Sequence, residues 1–153
     1  MREATLTAYE MSMSGAVGFR RRLIQVTRGQ ARDSFDCPDP WGNDIEAACA
    51  EMAFAKMYGL YWDGSVDTYK DLPDVGGYEV RRVSDPMHHL IIRKQDIGKH
   101  DDAPVVMVSG VAPHFVAIGW ARPSEVAVNE RAWKDAWRMA AGELHHMDEL
   151  PKL

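Results

Sequence analysis

Two carboxylates and a guanidinium lie close together in the short segment from Asp74 to Arg81. The Gly76-Gly77 pair between the first acid and the rest predicts a turn that leads into a strand. Alternate residues of a strand share one face, so Glu79 and Arg81 are expected to point the same way. The sequence therefore predicts that an acid and a cation converge beside Asp74.

A group of this composition suits Mg²⁺ or Mn²⁺. Hard divalent cations prefer carboxylate and carbonyl oxygens and retain several waters, which two or three convergent acids can supply. A neighbouring cationic side chain then steadies the attacking water or the phosphate. Arg81 suits the phosphate, because a guanidinium stays protonated and its planar fork clamps phosphate oxygens. The chemistry indicated is metal-assisted hydrolysis of a phosphodiester.

Pro73-Asp74 followed by Glu79-Val80-Arg81 resembles the motif of the PD-(D/E)XK nuclease superfamily, with arginine where that motif has lysine. The resemblance implies a further acid on a preceding helix, and Glu51 in an alanine-rich stretch matches it. It implies these metal ligands: Glu51, Asp74, Glu79 and the carbonyl oxygen of Val80. It implies these catalytic residues: Glu51, Asp74, Glu79 and Arg81. For Glu51 an exposed helical glutamate that pairs with Lys56 is the alternative.

A second resemblance extends over most of the chain, to a group of short phage and prophage proteins. Members of that group often carry arginine after the strand acid. The segments that carry it are Asp44–Glu51, Tyr61–Val66, Asp74–Arg81, Leu90–Arg93 and Val116–Trp120. It implies a bacteriophage product that acts inside a bacterial cell, a setting that composition by itself does not show.

The length and charge limit the classes of protein to consider. At 153 residues with 46% hydrophobic residues, the chain fits one domain with a substantial core. A net charge of -5 argues against a protein that coats nucleic acid through net charge alone. A local basic surface around the candidate site is still expected to contact nucleic acid, through Arg82, Arg93 and Lys94. The run Arg20 to Arg22 is interpreted as the solvated face of a helix rather than a phosphate track.

Cysteine content and hydropathy indicate the compartment. Cys37 and Cys49 have no second Cys or His pair at metal spacing, and they do not form a disulfide framework. A reducing cytoplasm is therefore expected. The resemblance to phage proteins implies that it is the cytoplasm of a bacterial host cell. No window approaches the roughly 20 apolar residues that cross a bilayer, so we expect no membrane partner.

Two helices are predicted in the first part of the chain. Thr7-Ala8-Tyr9-Glu10 matches a capping box, and a long helix is predicted from there to Gly29. A loop is predicted from Gln30 to Asn43. Asp44 is predicted to cap a second helix from Ile45 to Tyr58.

Strands dominate the middle of the chain, and a closing helix is predicted over Glu125 to Leu144. The predicted strands are Val66–Tyr69, Tyr78–Val83, His89–Arg93, Val105–Gly110 and His114–Trp120. We expect one domain over 1–153, with an N-terminal helix and loop (1–43), a nuclease-like core (44–122) and a C-terminal helix and tail (123–153). The predicted fold class is α/β of the α+β type, a restriction-endonuclease-like core with a mixed central sheet of four to five strands flanked by helices.

Other chemistry has less support in the sequence. Adjacent histidines in a strand point to opposite faces, so His88 and His89 do not predict a zinc site. Their strand is instead expected to pair with the strand that carries Glu79. Neither a glycine-rich phosphate loop nor a nucleophile elbow occurs, so nucleotide hydrolysis and serine-hydrolase chemistry are not predicted.

Tryptophan and methionine content favours a protein-binding surface as well. Trp133 and Trp137 are four apart and are predicted to share a helix face, in the core or at an interface. Together with nine methionines they favour a homodimer or a complex with a host protein.

The leading hypothesis is a phage-encoded, metal-dependent nuclease, with DNA favoured over RNA as substrate. The alternative is a non-catalytic interaction protein on the same fold that binds a host factor. A nucleic-acid-binding module without catalysis is a third interpretation, disfavoured by the overall charge.

Overall fold

The structure is a computed structural model that describes residues 1–31, 37–66 and 72–153. The described chain is an α+β protein built from two long helices, one short helix and strands in two sheets. The helices are α1 (Ala8–Thr27), α2 (Pro40–Tyr58) and α3 (Pro123–Val126). The strands are β1 (Arg2–Thr5), β2 (Glu79–Val83), β3 (His89–Arg93), β4 (Val105–Val111), β5 (His114–Ala121), β6 (Ala132–Trp133) and β7 (Ala136–Ala140).

The larger sheet has four strands in the order β1-β5-β4-β2 and is mixed. Strand β2 runs parallel to β4, whereas β1 and β4 each run antiparallel to β5. The smaller sheet is antiparallel, with the order β3-β7-β6. The expected mixed sheet with flanking helices is therefore confirmed at the level of an α+β fold.

Helix α1 begins where the sequence predicts. The Thr7 hydroxyl accepts from the Glu10 amide, and the Glu10 carboxylate accepts from the Thr7 amide, which completes the capping box. The helix then packs against α2 through Gly18. A Cβ at Gly18 would lie 2.5 Å from the Asp44 carbonyl oxygen and 2.6 Å from the Ile45 Cα, so only glycine permits this approach.

Replacing Gly18 by Ala is expected to destabilise the protein by roughly 1–3 kcal/mol, because the new methyl group meets backbone that cannot rotate away. Gly15→Ala in the same helix is the matched control. Its Cβ would lie 3.7 Å from a side-chain carbon of Ile45, an ordinary contact, so helix propensity should stabilise that variant by up to about 1 kcal/mol. Urea unfolding of both variants checks the pair, and equal stabilities would contradict the close packing.

Helix α2 begins earlier than predicted, at Pro40 rather than Ile45. The Asp39 carboxylate accepts from the Gly42 amide and caps the helix in place of Asp44. Proline is tolerated in a first turn because the amide it lacks has no partner inside the helix. The last part of the predicted loop, from Pro40 to Asn43, therefore belongs to the helix. The helix ends as predicted, with Gly59 in the left-handed conformation at φ 64°.

Two apolar clusters hold the elements together. One packs α2 against the four-stranded sheet and includes Phe54, Val106, Val108 and Phe115. The other lies between the two sheets and comprises Leu90, Ile92, Val105, Met107, Ala121, Val126 and Met139.

Three predictions about the second half of the chain are wrong. The closing helix over Glu125 to Leu144 is absent, because only Pro123–Val126 is helical there and the chain then forms β6 and β7. Trp133 and Trp137 accordingly lie in strands rather than on one helix face. Strand β3 pairs with β7, not with the strand that carries Glu79, which instead pairs with β4. The segment 123–153, predicted as a helix and tail, therefore contains α3, β6, β7 and short 3₁₀ turns.

Two further points concern individual strands. Strand β1 was not predicted, and its four residues pair with one edge of β5. Residues 67–69 of the predicted strand Val66–Tyr69 lie outside the described residues. In the described part of the chain, the helices are too short or too polar to cross a lipid bilayer.

Candidate functional site

A tight turn places Asp74 next to the start of β2. Val75 and Tyr78 exchange backbone hydrogen bonds of 3.0 and 2.9 Å, and both intervening glycines have positive φ, 54° at Gly76 and 91° at Gly77. Such a turn needs residues without a Cβ, which explains the glycine pair. Asp74 Oδ2 then accepts from the Val80 amide at 2.8 Å. The turn thus fixes one carboxylate beside the strand that carries the next.

Glu51 projects from the middle of α2 and is buried, so the prediction of an exposed glutamate paired with Lys56 does not describe it. Its two oxygens accept from both terminal nitrogens of Arg21, at 2.6 and 3.0 Å. The Trp62 indole also donates to Glu51, at 2.9 Å. Arg21 itself is held in place because its Nε donates to the Ser65 carbonyl at 2.9 Å. The carboxylate of Glu51 is therefore enclosed by partners from α1 and from the segment after α2.

Glu79 and Arg81 share one face of β2, as the strand alternation predicts, and their charged atoms lie 3.6 Å apart. Arg81 also donates to Asp96 at 3.0 Å. On the other side, Glu79 Oε1 lies 3.2 Å from His100 Nε2. Neither of these two buried atoms has a hydrogen-bond partner of good geometry among the described residues. Glu79 thus carries a buried oxygen whose bonding capacity is unmet.

The pKa values of both buried glutamates are high for carboxyl groups. Burial raises the pKa of Glu51 to about 7, and the negative charge of Asp74 adds to this effect against the opposing influence of Arg21. Burial likewise raises the pKa of Glu79 to about 7, again with Asp74 as the next contributor and Arg81 acting in the opposite direction. Asp74 is therefore close enough to both glutamates for its charge to act on each.

Replacing Glu79 by Gln is expected to stabilise the protein at pH 8 and to change little at pH 4.5. A carboxyl whose pKa rises on folding binds more protons in the folded state, so wild-type stability falls as pH rises from about 4.5 to about 7. The carboxamide cannot ionise, and the gain at pH 8 should be on the order of 1–3 kcal/mol. Urea unfolding at several pH values measures it, with the exposed Glu130→Gln as control. A difference that does not change with pH would exclude the burial argument.

The three acids form one electrostatic group, but they are not arranged as a ready-made metal site. Within ranges 1–31, 37–66 and 72–153, no three His, Cys, Asp or Glu side chains are placed to hold a metal ion directly. At Glu51, both carboxylate oxygens already accept hydrogen bonds. The unmet oxygen of Glu79 and the crowding of negative charge nevertheless fit a divalent cation in their chemistry. A cation that used all three acids would have to displace Arg21.

The remaining predicted site residues differ in their accessibility. Val80 is buried and donates its amide to Asp74. Arg82 has other partners: its Nε donates to the Gly110 carbonyl at 2.9 Å, its Nη2 lies 3.9 Å from the Glu46 carboxylate of α2, and only 11% of its side chain is exposed. A phosphate contact by Arg82 would require the side chain to leave these partners. Arg93 and Lys94 lie at the end of β3, where Lys94 is exposed and Arg93 is half-buried.

The sequence interpretation missed Arg21, Asp96 and His100. Arg21 was assigned to a solvated run, although α1 buries Ser14, Gly18 and Arg22 and so turns this part of the run inward. The spacing of these small and polar residues along α1 is the signal that could have found it. Asp96 and His100 lie in short 3₁₀ turns after β3, and no local pattern indicates that these turns reach Arg81 and Glu79.

Comparison with known proteins adds no family assignment. The chain matched no protein-family model, no curated protein sequence and no solved structure. The function of the chain is therefore inferred from the geometry and charge of the site itself.

Proposed function

We propose that this chain is a metal-dependent phosphodiesterase that cleaves nucleic acid, on a variant of the restriction-endonuclease-like fold. The observation that carries the proposal is a buried Glu79 oxygen without a hydrogen-bond partner among the described residues, on the strand beside which the Val80 amide holds Asp74. The raised pKa values of Glu51 and Glu79 agree with it. Structural proteins avoid burying carboxylates in this way unless a cation or hydrogen-bond donors compensate them. Mg²⁺ or Mn²⁺ is the compensating cation that we propose.

Asp74 and Glu79 would hold the metal, with the carbonyl oxygen of Val80 as a further ligand. Glu51 would join them once Arg21 releases its oxygens. When bound, the metal supplies a water of lowered pKa and offsets charge on the phosphate. The protein's own residues do the positioning. Asp96 holds the guanidinium of Arg81 from one side at 3.0 Å, so that its remaining donors can orient a phosphate.

The setting follows from the same proposal. We propose DNA in preference to RNA as the substrate, and a bacteriophage protein acting in the cytoplasm of a bacterial cell. The support for this setting is the resemblance of the segments 44–51 and 74–81 to phage and prophage proteins.

The test is cleavage of plasmid DNA and of single-stranded RNA by the purified protein, with Mg²⁺ or Mn²⁺ and with EDTA in its place. Arg81→Lys belongs in the same experiment, because lysine restores the residue that the superfamily motif has at this position. Cutting that requires the metal and persists or rises with Arg81→Lys supports the nuclease. Absence of cutting by both proteins would overturn it.

A second candidate function is a non-catalytic interaction protein that binds a host protein or a second copy of itself. The observation that favours it is that Arg21 and Trp62 already donate hydrogen bonds to Glu51. One acid of the group is therefore neutralised inside the protein. Exposed apolar side chains on α1 add to it, with Tyr9 75% and Phe19 47% exposed. Failure of both the wild type and Arg81→Lys to cut nucleic acid would favour this function.

A further inference from the structure

The outward face of the smaller sheet combines cations with an aromatic ring. Residues directly opposite each other in an antiparallel pair share a face. The register pairs Ile91 with Arg138, and Trp133 with Ala136, two residues before Arg138 on the same strand. Trp133, Arg138 and Ile91 therefore lie on one face. The opposite face carries Leu90, Ile92 and Met139, which are buried in the core between the sheets.

This outward face forms a shallow cavity of about 230 Å³. The residues that line it are Val83, His88, His89, Ile91, Trp133 and Arg138, and no carboxylate is among them. Two cations lie near the indole of Trp133: Lys134 Nζ is 4.8 Å and Arg138 Cζ is 5.5 Å from the ring centroid. In a chain of net charge -5, a cavity with this lining is a local exception. It suits a ligand that is flat and negatively charged.

The size of the cavity limits the range of ligands that it can bind. Pockets for drug-sized ligands usually measure about 300–1,000 Å³, so this cavity accommodates a single base with its sugar rather than a larger ligand. Nucleobases stack on tryptophan regardless of sequence, and flanking arginine or lysine side chains bind the phosphates.

Two carboxylates border the face and limit its positive charge. Glu143 acts on His89, and Asp135 acts on Arg93.

The same face leads toward the carboxylate site. Arg93 shares it, because it pairs with Ala136 two residues beyond Ile91. Asp96 connects Arg93 with Arg81, since one of its oxygens accepts from the Arg93 backbone amide at 2.8 Å and the other from the Arg81 side chain at 3.0 Å. From His89, which lines the cavity, to Arg93 the strand spans roughly 13 Å, so a bound strand that follows it would reach from the cavity to Arg93.

We propose that the outward face of β3, β7 and β6 binds single-stranded nucleic acid, with a base against Trp133 and phosphates on Arg138 and Lys134, and guides it past Arg93 to the carboxylates. The guiding step rests on the proposed nuclease function. The binding step stands without it, because it depends only on residues outside the carboxylate group.

The test is fluorescence anisotropy of a labelled oligothymidine with the full chain in EDTA, where no cleavage can occur. Trp133→Ala is expected to weaken binding about 10- to 100-fold, as loss of one stacked base does. Trp133→Phe should retain most of the affinity and guards against a folding defect. Arg138→Gln should weaken binding and reduce the salt dependence by about one released ion. Arg20→Gln, an exposed arginine on α1, is the matched control and should bind like wild type.

Asp74→Asn distinguishes nucleic-acid binding by the outward face from the proposed nuclease function. Binding that survives Asp74→Asn and falls with Trp133→Ala supports the face as a nucleic-acid site, whether or not the wild type cuts. Equal binding by wild type, Trp133→Ala and Arg138→Gln would overturn it. So would a wild type that binds a matched duplex but not the single strand.

Discussion

Asp74→Asn is expected to reduce metal-dependent cleavage at least about 100-fold while the protein stays folded. Asparagine keeps an oxygen that can accept from the Val80 amide, so the turn before β2 should persist. It removes the charge that acts on both Glu51 and Glu79, and with it the central member of the acidic group. Initial rates of plasmid cleavage in Mn²⁺ measure the loss, with Glu130→Gln as a matched acid-to-amide control at an exposed site.

The same variant has a second expected effect that does not depend on activity. Without the charge of Asp74, the pKa values of Glu51 and Glu79 should fall toward those of ordinary carboxyls. Asp74→Asn should therefore lose less stability than wild type between pH 4.5 and 8. Cleavage by Asp74→Asn at the wild-type rate would remove Asp74 from the chemistry, even if the pH profile behaves as expected.

Arg21→Ala is expected to destabilise the protein by roughly 2–4 kcal/mol at pH 8, because it leaves the buried Glu51 carboxylate without its counter-charge. About a fifth of the Arg21 side chain is exposed, against 6% for Glu51, which places the effect below that of a fully enclosed pair. The double variant Arg21→Ala with Glu51→Gln should recover part of the loss, since the carboxamide carries no charge. Arg20→Ala, on the same helix and exposed, should leave the stability unchanged.

Thermal unfolding in the presence of Mn²⁺ tests whether Arg21 and a metal ion compete for Glu51. If Arg21 holds the position that a cation would take, Mn²⁺ should raise the melting temperature of Arg21→Ala more than that of wild type. The increase should disappear in the double variant. Equal increases in wild type and Arg21→Ala would show that Arg21 and the metal do not compete, and that Glu51 is not a ligand.

Much of the secondary structure could be predicted because its signals are local. The capping box at Thr7 and the left-handed glycine at Gly59 mark helix ends through hydrogen bonds within a few residues. The apolar runs of β4 and β5 are strands buried in the sheet. The Gly76-Gly77 turn fixes Asp74 relative to β2 in the same local way, which is why the face shared by Glu79 and Arg81 could be foreseen.

The rest depends on contacts between distant segments. The spacing of Trp133 and Trp137 suits a helix as well as two adjacent strands, and pairing with β3 decides between them. Arg21 and Glu51 come from different helices, so their pair requires the close approach at Gly18 that the sequence alone does not reveal. The placement of β2 beside β4 likewise depends on the chain between them.

Binding of Mn²⁺ at pH 8 is measured by the loss of the free-ion signal in electron paramagnetic resonance. Wild type is expected to bind Mn²⁺, Asp74→Asn is expected to lose this binding, and Glu130→Gln is expected to retain it. Mn²⁺ binding that is absent in wild type, or equally tight in Asp74→Asn, would contradict the claim that Asp74 and the two buried glutamates form a cation site.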